Sequence, residues 1–291
     1  MDAFTIKDLE NLSGIKAHTL RIWEQRYNFL KPNRTLTKIR YYTNDELKLV
    51  LNIALLNKYG YKVSHINKMD GAEMKEKILS LNNAQAQQER IINELIQHMV
   101  DLNMESMELV LDTYILSRGI EKTILQIIFP FLEKIGILWL TNHINPGQEH
   151  LVTNMVRQKL IVGIEGLHPI LKVKKSVLLF LPAGEFHEMG LLFMHFLFKS
   201  RGVNVIYVGA NIPIKDVEYV VKVKKPEYLY CHLSTGTSFN FDKFLNSMST
   251  VFPDIPTVIS GHLTTTYQKK IKSPVLFKRS FAEVMEFVLS L

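Results

Sequence analysis

The spacing of apolar residues along the chain changes near residue 175, from helical periodicity before it to short apolar runs between polar turns after it. Behind Thr5, the residues Ile6, Leu9 and Leu12 fall on one helical face; Gly14 interrupts, and Leu20, Trp23 and Tyr27 mark a second helix. Two short helices about a glycine turn make a helix-turn-helix, whose second helix would present His18, Arg21, Gln25 and Arg26 to a major groove. Leu30-Lys-Pro32, Arg34, Lys38, Arg40 and Tyr41-Tyr42 then form a basic, aromatic stretch long enough for two strands of a wing over phosphates. A helix restarts over Asp45–Leu56, and residues 1–72 are predicted as an all-α winged helix-turn-helix head.

Residues 73–88 are polar, and the tract Asn82-Asn-Ala-Gln-Ala-Gln-Gln88 reads as a linker or a solvated helix. Apolar residues then recur every three or four positions through Ile91–Leu102, Met107–Ile115, Ile120–Leu138 and Glu149–Ile164, predicting a four-helix bundle over residues 89–172. Asn145-Pro-Gly147 is a turn whose proline starts the last helix. Taken singly, Trp139 reads as core, Glu149 as a carboxylate favoured near a helix N-terminus, and His150 as an exposed residue. His98, His143 and His168 have no chemical context and read as structural.

Over residues 173–291, strands at Val177–Leu181, Val203–Val208, Tyr228–Leu233, Thr257–Ile259 and Val275–Phe277 alternate with helices at His187–Arg201, Ile214–Val223 and Phe239–Thr250, a short helix, and Phe281–Leu289. Such alternation predicts an α/β doubly wound parallel sheet, and with it a multidomain chain. Ligands of these sheets bind at the carboxyl ends of the strands. Three loops there carry candidates: Glu185-Phe-His187-Glu-Met-Gly190, Leu233-Ser-Thr-Gly-Thr-Ser238 and Ser260-Gly261-His262. A neutral imidazole is a competent metal donor, and whether it ligates depends on what its far nitrogen meets. His195, on an apolar helix face, and Cys231 and His232, inside a strand, read as packed residues.

Composition narrows the partners. At 291 residues and 47% hydrophobic the chain can build ordinary cores, and no apolar run nears the ~18 residues of a membrane span. It reads as a cytoplasmic protein with no signal peptide and no membrane partner. A single cysteine rules out a disulfide framework and metal sensing by several thiolates. The net charge of +7 is uneven: residues 1–70 hold 12 Lys and Arg against 7 Asp and Glu, residues 71–170 hold 8 against 12. The first block could serve a polyanion and the second could not; the basic excess beyond residue 170 is spread over helix ends.

Specific wording adds to this. Thr19-Leu-Arg-Ile-Trp-Glu-Gln-Arg-Tyr27, followed by Leu30-Lys-Pro32, Arg34 and Ile39-Arg-Tyr-Tyr-Thr43, resembles the DNA-binding head of MerR-type regulators in the branch with R-I-W-E-x-R-Y; Thr37-Lys-Ile-Arg40 stands where that family has G-G-Y-R. Glu185–Gly190 resembles the D-x-H-x-x-G signature of cobalamin-binding domains of flavodoxin-like or Rossmann-like fold, with Glu for Asp. Trp139, followed after nine residues by Glu149-His150, resembles the helical cap of light-responsive, adenosylcobalamin-binding MerR-type regulators of carotenoid genes.

That resemblance implies His187 as lower axial cobalt ligand, Glu185 on its other nitrogen, and Gly190 completing the motif. It implies Trp139 packed by the adenosyl group, Glu149 on that group's polar atoms, and His150 capturing cobalt after photolysis. Ser234 and Thr235 would border the buried nucleotide tail. Gly261 would stand in a glycine pair that lets the tail's benzimidazole approach the backbone, with His262 departing from the pair and narrowing the slot. The function implied is a transcriptional regulator, a repressor and not an enzyme, that binds a double-stranded DNA operator as a homo-oligomer, dimer or tetramer, under control of adenosylcobalamin and its photolysis. Two alternatives stay open. One is a regulator of the same architecture that no longer binds cobalamin. The other is a corrinoid protein of a methyltransferase system, which would have no use for Arg21, Arg34 and Arg40.

Overall fold

The computed structural model describes residues 4–27, 29–140, 144–234 and 240–291, in two compact units, Met1–Val156 and Arg157–Leu291. In the first unit, α1 (Ile6–Ser13) begins at a capping box between Thr5 and Asp8 and stops at Gly14, whose φ of 74° suits a residue without Cβ. Helix α2 (Ala17–Arg26) buries Leu20 and Trp23. Strands β1 (Asn33–Arg34) and β2 (Arg40–Tyr41) pair antiparallel as a wing. The wing's turn closes with the Lys38 amide donating to the Thr35 carbonyl at 2.8 Å. Lys38 itself adopts φ 63°, so the turn forms without the glycine that would adopt it more readily. Tyr42, fully buried, pairs through its backbone with Phe4 and donates its hydroxyl to Glu24, which ties the wing to α2.

Helix α3 (Asn44–Lys58) starts at a second capping box, Thr43 with Glu46, and is followed by α4 (Val63–Ile66) and α5 (Gly71–Leu79). Residues 73–88, expected to be a linker with the tract Asn82–Gln88 a linker or a solvated helix, are therefore mostly helical: α5 buries Met74 and Ile78, and the polar tract leads through the Asn83 cap into the first turns of α6 (Ala84–Val100), where Ala86 is buried. Helix α7 (Met104–Arg118) follows. The single helix predicted over Ile120–Leu138 is α8 (Ile120–Thr123) running through a π turn, Ile124–Ile128, into α9 (Phe129–Leu140). Pro130 has no N–H to give the ladder, and the Phe129 amide reaches back five residues to the Ile124 carbonyl. Helix α10 (Pro146–Glu165) is seated on Asn145, whose side chain accepts from the Gly147 amide while the Gln148 side chain accepts from the Asn145 amide. The head rests directly on this helical module: Lys134 of α9 donates to the Leu12 carbonyl, and Asn93 of α6 to the Leu51 carbonyl.

The second unit holds a parallel sheet of β3 (Ser176–Pro182), β4 (Asn204–Ile212), β5 (Tyr228–His232), β6 (Thr257–Ser260) and β7 (Val275–Lys278), in the order β4-β3-β5-β6-β7. It is interleaved with α11 (Met189–Ser200), α12 (Ile214–Lys224), α13 (Phe241–Val251), α14 (His262–Thr266) and α15 (Phe281–Ser290). Strand β3 is buried along its whole length, which explains its unbroken apolar run. The strand order reverses at β3, so the crevice that binds ligands in such sheets lies outside the carboxyl ends of β3 and β5. Among the described residues no helix is long and apolar enough to cross a membrane.

Candidate functional site

The loop after β3 is shaped by hydrogen bonds that cross to β4. The Gly184 amide donates to the Asn211 side chain at 2.9 Å, and the Asn211 amide to the Glu185 carbonyl at 3.0 Å. Glu185 is 1% exposed, and its Oε1 accepts from both the backbone amide of His187, at 2.8 Å, and ring Nδ1, at 2.5 Å. Through these bonds the carboxylate folds back over its own loop and holds His187 outside α11, which starts two residues later than predicted. A carboxylate only accepts, so Nδ1 is the donor in this bond. The imidazole is half-exposed, at 51%. A carboxylate on the ring's other nitrogen is the second contact that orients a metal-ligating histidine, and an imidazole donor suits a cobalt ion. The next residue is anchored too: Glu188 accepts from the Tyr207 hydroxyl at 2.8 Å and lies 3.7 Å from the Arg157 guanidinium.

The glycines of the motif look inward. A Cβ on Gly190 would lie 2.1 Å from His232 Cδ2, so the missing side chain makes room for that imidazole. His232 Nδ1 is hydrogen-bonded to Ser260 Oγ at 2.9 Å, and Ser260 Oγ to the Tyr230 hydroxyl at 2.6 Å. Tyr230 packs between Phe198 and Phe287. Burial pushes His232 down to about 4, against the opposing charge of Glu185. Gly261, at φ 97°, closes on the Leu233 carbonyl, 2.4 Å from where a Cβ would sit. The Cβ side of Gly261 is thus filled by the chain's own backbone, and that of Gly190 by His232. His262 opens α14 and is exposed; Ser234 is half-buried at the end of β5. Thr235 lies outside the described residues. The reading of His232 as simply packed misses its place against Gly190 and Glu185; a histidine at the last position of a strand, below a ligand loop, was the available signal. His195 stacks on Tyr207 with ring centroids 4.9 Å apart, and burial, aided by the Lys199 charge, lowers it to about 4.

In the first unit, Glu149 and His150 stand in the opening turn of α10, with His150 Nδ1 3.9 Å from the Glu149 carboxylate; Glu149 is 30% and His150 74% exposed. Trp139 belongs to α9, and its side chain lies outside the described residues. On α2, His18, Arg21 and Gln25 share one exposed face, with Arg26 beside them. Arg34, Lys38 and Arg40 are exposed on the wing and Tyr41 is half-buried. Two of the wing cations also brace it: Arg34 donates to the Lys38 carbonyl at 3.3 Å, and Arg40 lies 3.6 Å from Glu24.

Residues 4–72 match the family model described as MerR HTH family regulatory protein, and residues 91–162 match that of the B12 binding domain. The chain thus carries a MerR-type helix-turn-helix head followed by a segment that matches a B12-binding domain. It is similar to the HTH-type transcriptional repressor CarH of Myxococcus xanthus, 26% identical over 259 residues, which cover 87% of this chain and 85% of that one. It is similar also to the repressor CarA of the same organism, 27% identical over 224 residues, covering 76% and 73%. Among solved structures, the Methanosarcina barkeri monomethylamine corrinoid protein shares the fold, with a TM-score of 0.55 at 15% identity over 69% of this chain and 97% of that one.

Proposed function

We propose that this chain is a transcriptional repressor whose oligomeric state and hold on duplex DNA follow the binding of adenosylcobalamin. The observation that carries the reading is the His187–Glu185 pair at the strand-order reversal, with Nδ1 committed to a buried carboxylate. Bound adenosylcobalamin would supply a light-cleavable cobalt–carbon bond. In this reading His187 would hold the cobalt, and Trp139, Glu149 and His150 would serve the adenosyl group. His18, Arg21, Gln25 and Arg26 read the major groove, and Arg34, Lys38, Arg40 and Tyr41 meet phosphates from the wing. One head makes few contacts, so affinity depends on how many heads act together, and a change in assembly changes DNA binding without touching Arg21.

The test is to load the purified chain with adenosylcobalamin in the dark, then compare absorbance, size and DNA affinity before and after illumination, beside His187→Ala. A cofactor spectrum that copurifies, shifts with light and is lost in His187→Ala is the expected result. A second reading, a regulator of this architecture without cofactor, is favoured by the inward closure at Gly190 and Gly261. It predicts no copurifying spectrum and unaltered repression by His187→Ala.

A further inference from the structure

We infer that this chain holds a corrinoid by the lower face of the ring without burying its nucleotide tail, so that corrinoids with and without that tail bind equally well. The inference rests on the cobalamin reading above and names which members of that ligand class the site accepts. When an imidazole of the protein ligates cobalt, the cofactor's own benzimidazole must leave the metal and be housed elsewhere. The face of the sheet beneath α11, beside the His187 loop, is where such a group would go, and here it is occupied. His232 stands in the space left by Gly190, and Tyr230 is sealed between Phe198 and Phe287. Ser260, at the carboxyl end of β6, joins the two by hydrogen bonds of 2.6 and 2.9 Å. Tyr230 is 0% and Ser260 1% exposed. The polar tips satisfy one another, and a planar bicyclic group could enter only by parting both bonds and displacing rings packed at protein density. Gly261 gives no second entrance, because its open side is filled by the Leu233 carbonyl. The bonds from Glu185 to the amide and ring of His187 involve none of these hydroxyls or rings, so the pair that would hold cobalt is in place with the seam closed.

The experiment is equilibrium dialysis of the full chain, in the dark, against adenosylcobalamin and adenosylcobinamide, which lacks the nucleotide. The two dissociation constants should agree within about threefold. Free adenosylcobinamide carries no nitrogen base below cobalt, so its absorbance should shift on binding, and the shift should vanish in His187→Ala. The double substitution His232→Ser with Ser260→Gly should open the seam and favour cobalamin over cobinamide by about tenfold. Preference for cobalamin of about tenfold or more by the unaltered chain would overturn the inference and leave the cofactor reading standing. An unchanged ratio in the double variant would overturn it as well. Binding of neither corrinoid would overturn both.

Discussion

The contact between Gly190 and His232 can be tested by its sign. In Gly190→Ala the new Cβ would lie 2.1 Å from Cδ2 and 2.6 Å from Nε2 of the imidazole, against an ordinary contact of 3.4–4 Å. The ring must therefore move by more than 1 Å, roughly the excess that overpacking data price at 1–3 kcal/mol. Such a shift cannot keep the 2.9 Å bond from Nδ1 to Ser260, which adds about 1 kcal/mol. Ser260 keeps its bond to Tyr230, so no further buried group is orphaned. Against this, alanine in place of glycine favours α11 by up to about 1 kcal/mol. The net expectation is destabilisation by about 1–3 kcal/mol. In a His232→Ala background the obstacle is gone, and the same substitution should be neutral or stabilising by up to about 1 kcal/mol. The assay is urea unfolding of the four proteins of the cycle, followed by circular dichroism and by tryptophan fluorescence. Trp23 and Trp139 both belong to Met1–Val156, so the fluorescence transition should stay in place while the dichroism transition of the second unit moves. A Gly190→Ala penalty of the same size with and without His232 would refute the reasoning, because the glycine would then be answering to something other than that ring.

Other outcomes follow from the same structure. Glu185→Ala removes the partner that fixes the His187 tautomer and should weaken adenosylcobalamin binding by about 10- to 100-fold in an absorbance titration; unchanged affinity would dissociate Glu185 from the ligand. His232, neutral in the fold and held near 4, resists protonation that the unfolded chain accepts near 6.5. Stability of the second unit should thus be full above about pH 6.5 and fall progressively toward about pH 4, by at most about 3 kcal/mol from this residue, with His195 acting in the same direction; a His232→Ala protein should show a visibly flatter stability profile over that window. On the wing, Arg34→Ala should reduce the slope of log K against log salt for duplex DNA by about 1. Arg40→Ala should change it less, since Arg40 is already engaged by Glu24, and fluorescence anisotropy at several salt concentrations distinguishes the two.

Much of this architecture was legible because it rests on short-range rules. Thr5 and Thr43, each three residues before an acidic side chain, mark helix starts that the structure has as capping boxes, and the faces of α2 divide as the spacing of Leu20 and Trp23 requires. The misread stretches fail for reasons that lie elsewhere in the chain. Met74 and Ile78 are too sparse an apolar stripe to announce α5, and the helix is held by what those two residues bury. Apolar periodicity runs through a π turn as easily as through an α turn, so only Pro130 hints at the one in the long helix. The apolar stripe of α11 extends the prediction back to His187, because periodicity carries no sign that Glu185 will take that residue's amide.

The glycines of the candidate site pose a sharper form of the same problem. A motif glycine reports that a Cβ is forbidden, and leaves open whether a ligand or the chain forbids it. At Gly190 the answer depends on β5 lying beside β3, which brings His232 up to the start of α11. At Gly261 it depends on β6 lying beside β5, which brings the Leu233 carbonyl against it. Strand order is set by which faces bury best together, and no local pattern encodes it. Had β5 ended in a small residue instead of His232, the same motif would face an open seam, and the tail of a corrinoid would have somewhere to go. On the proposed reading, the residue that would decide which corrinoids fit lies far along the chain from the proposed cobalt ligand, on a strand whose alternation looks like ordinary core.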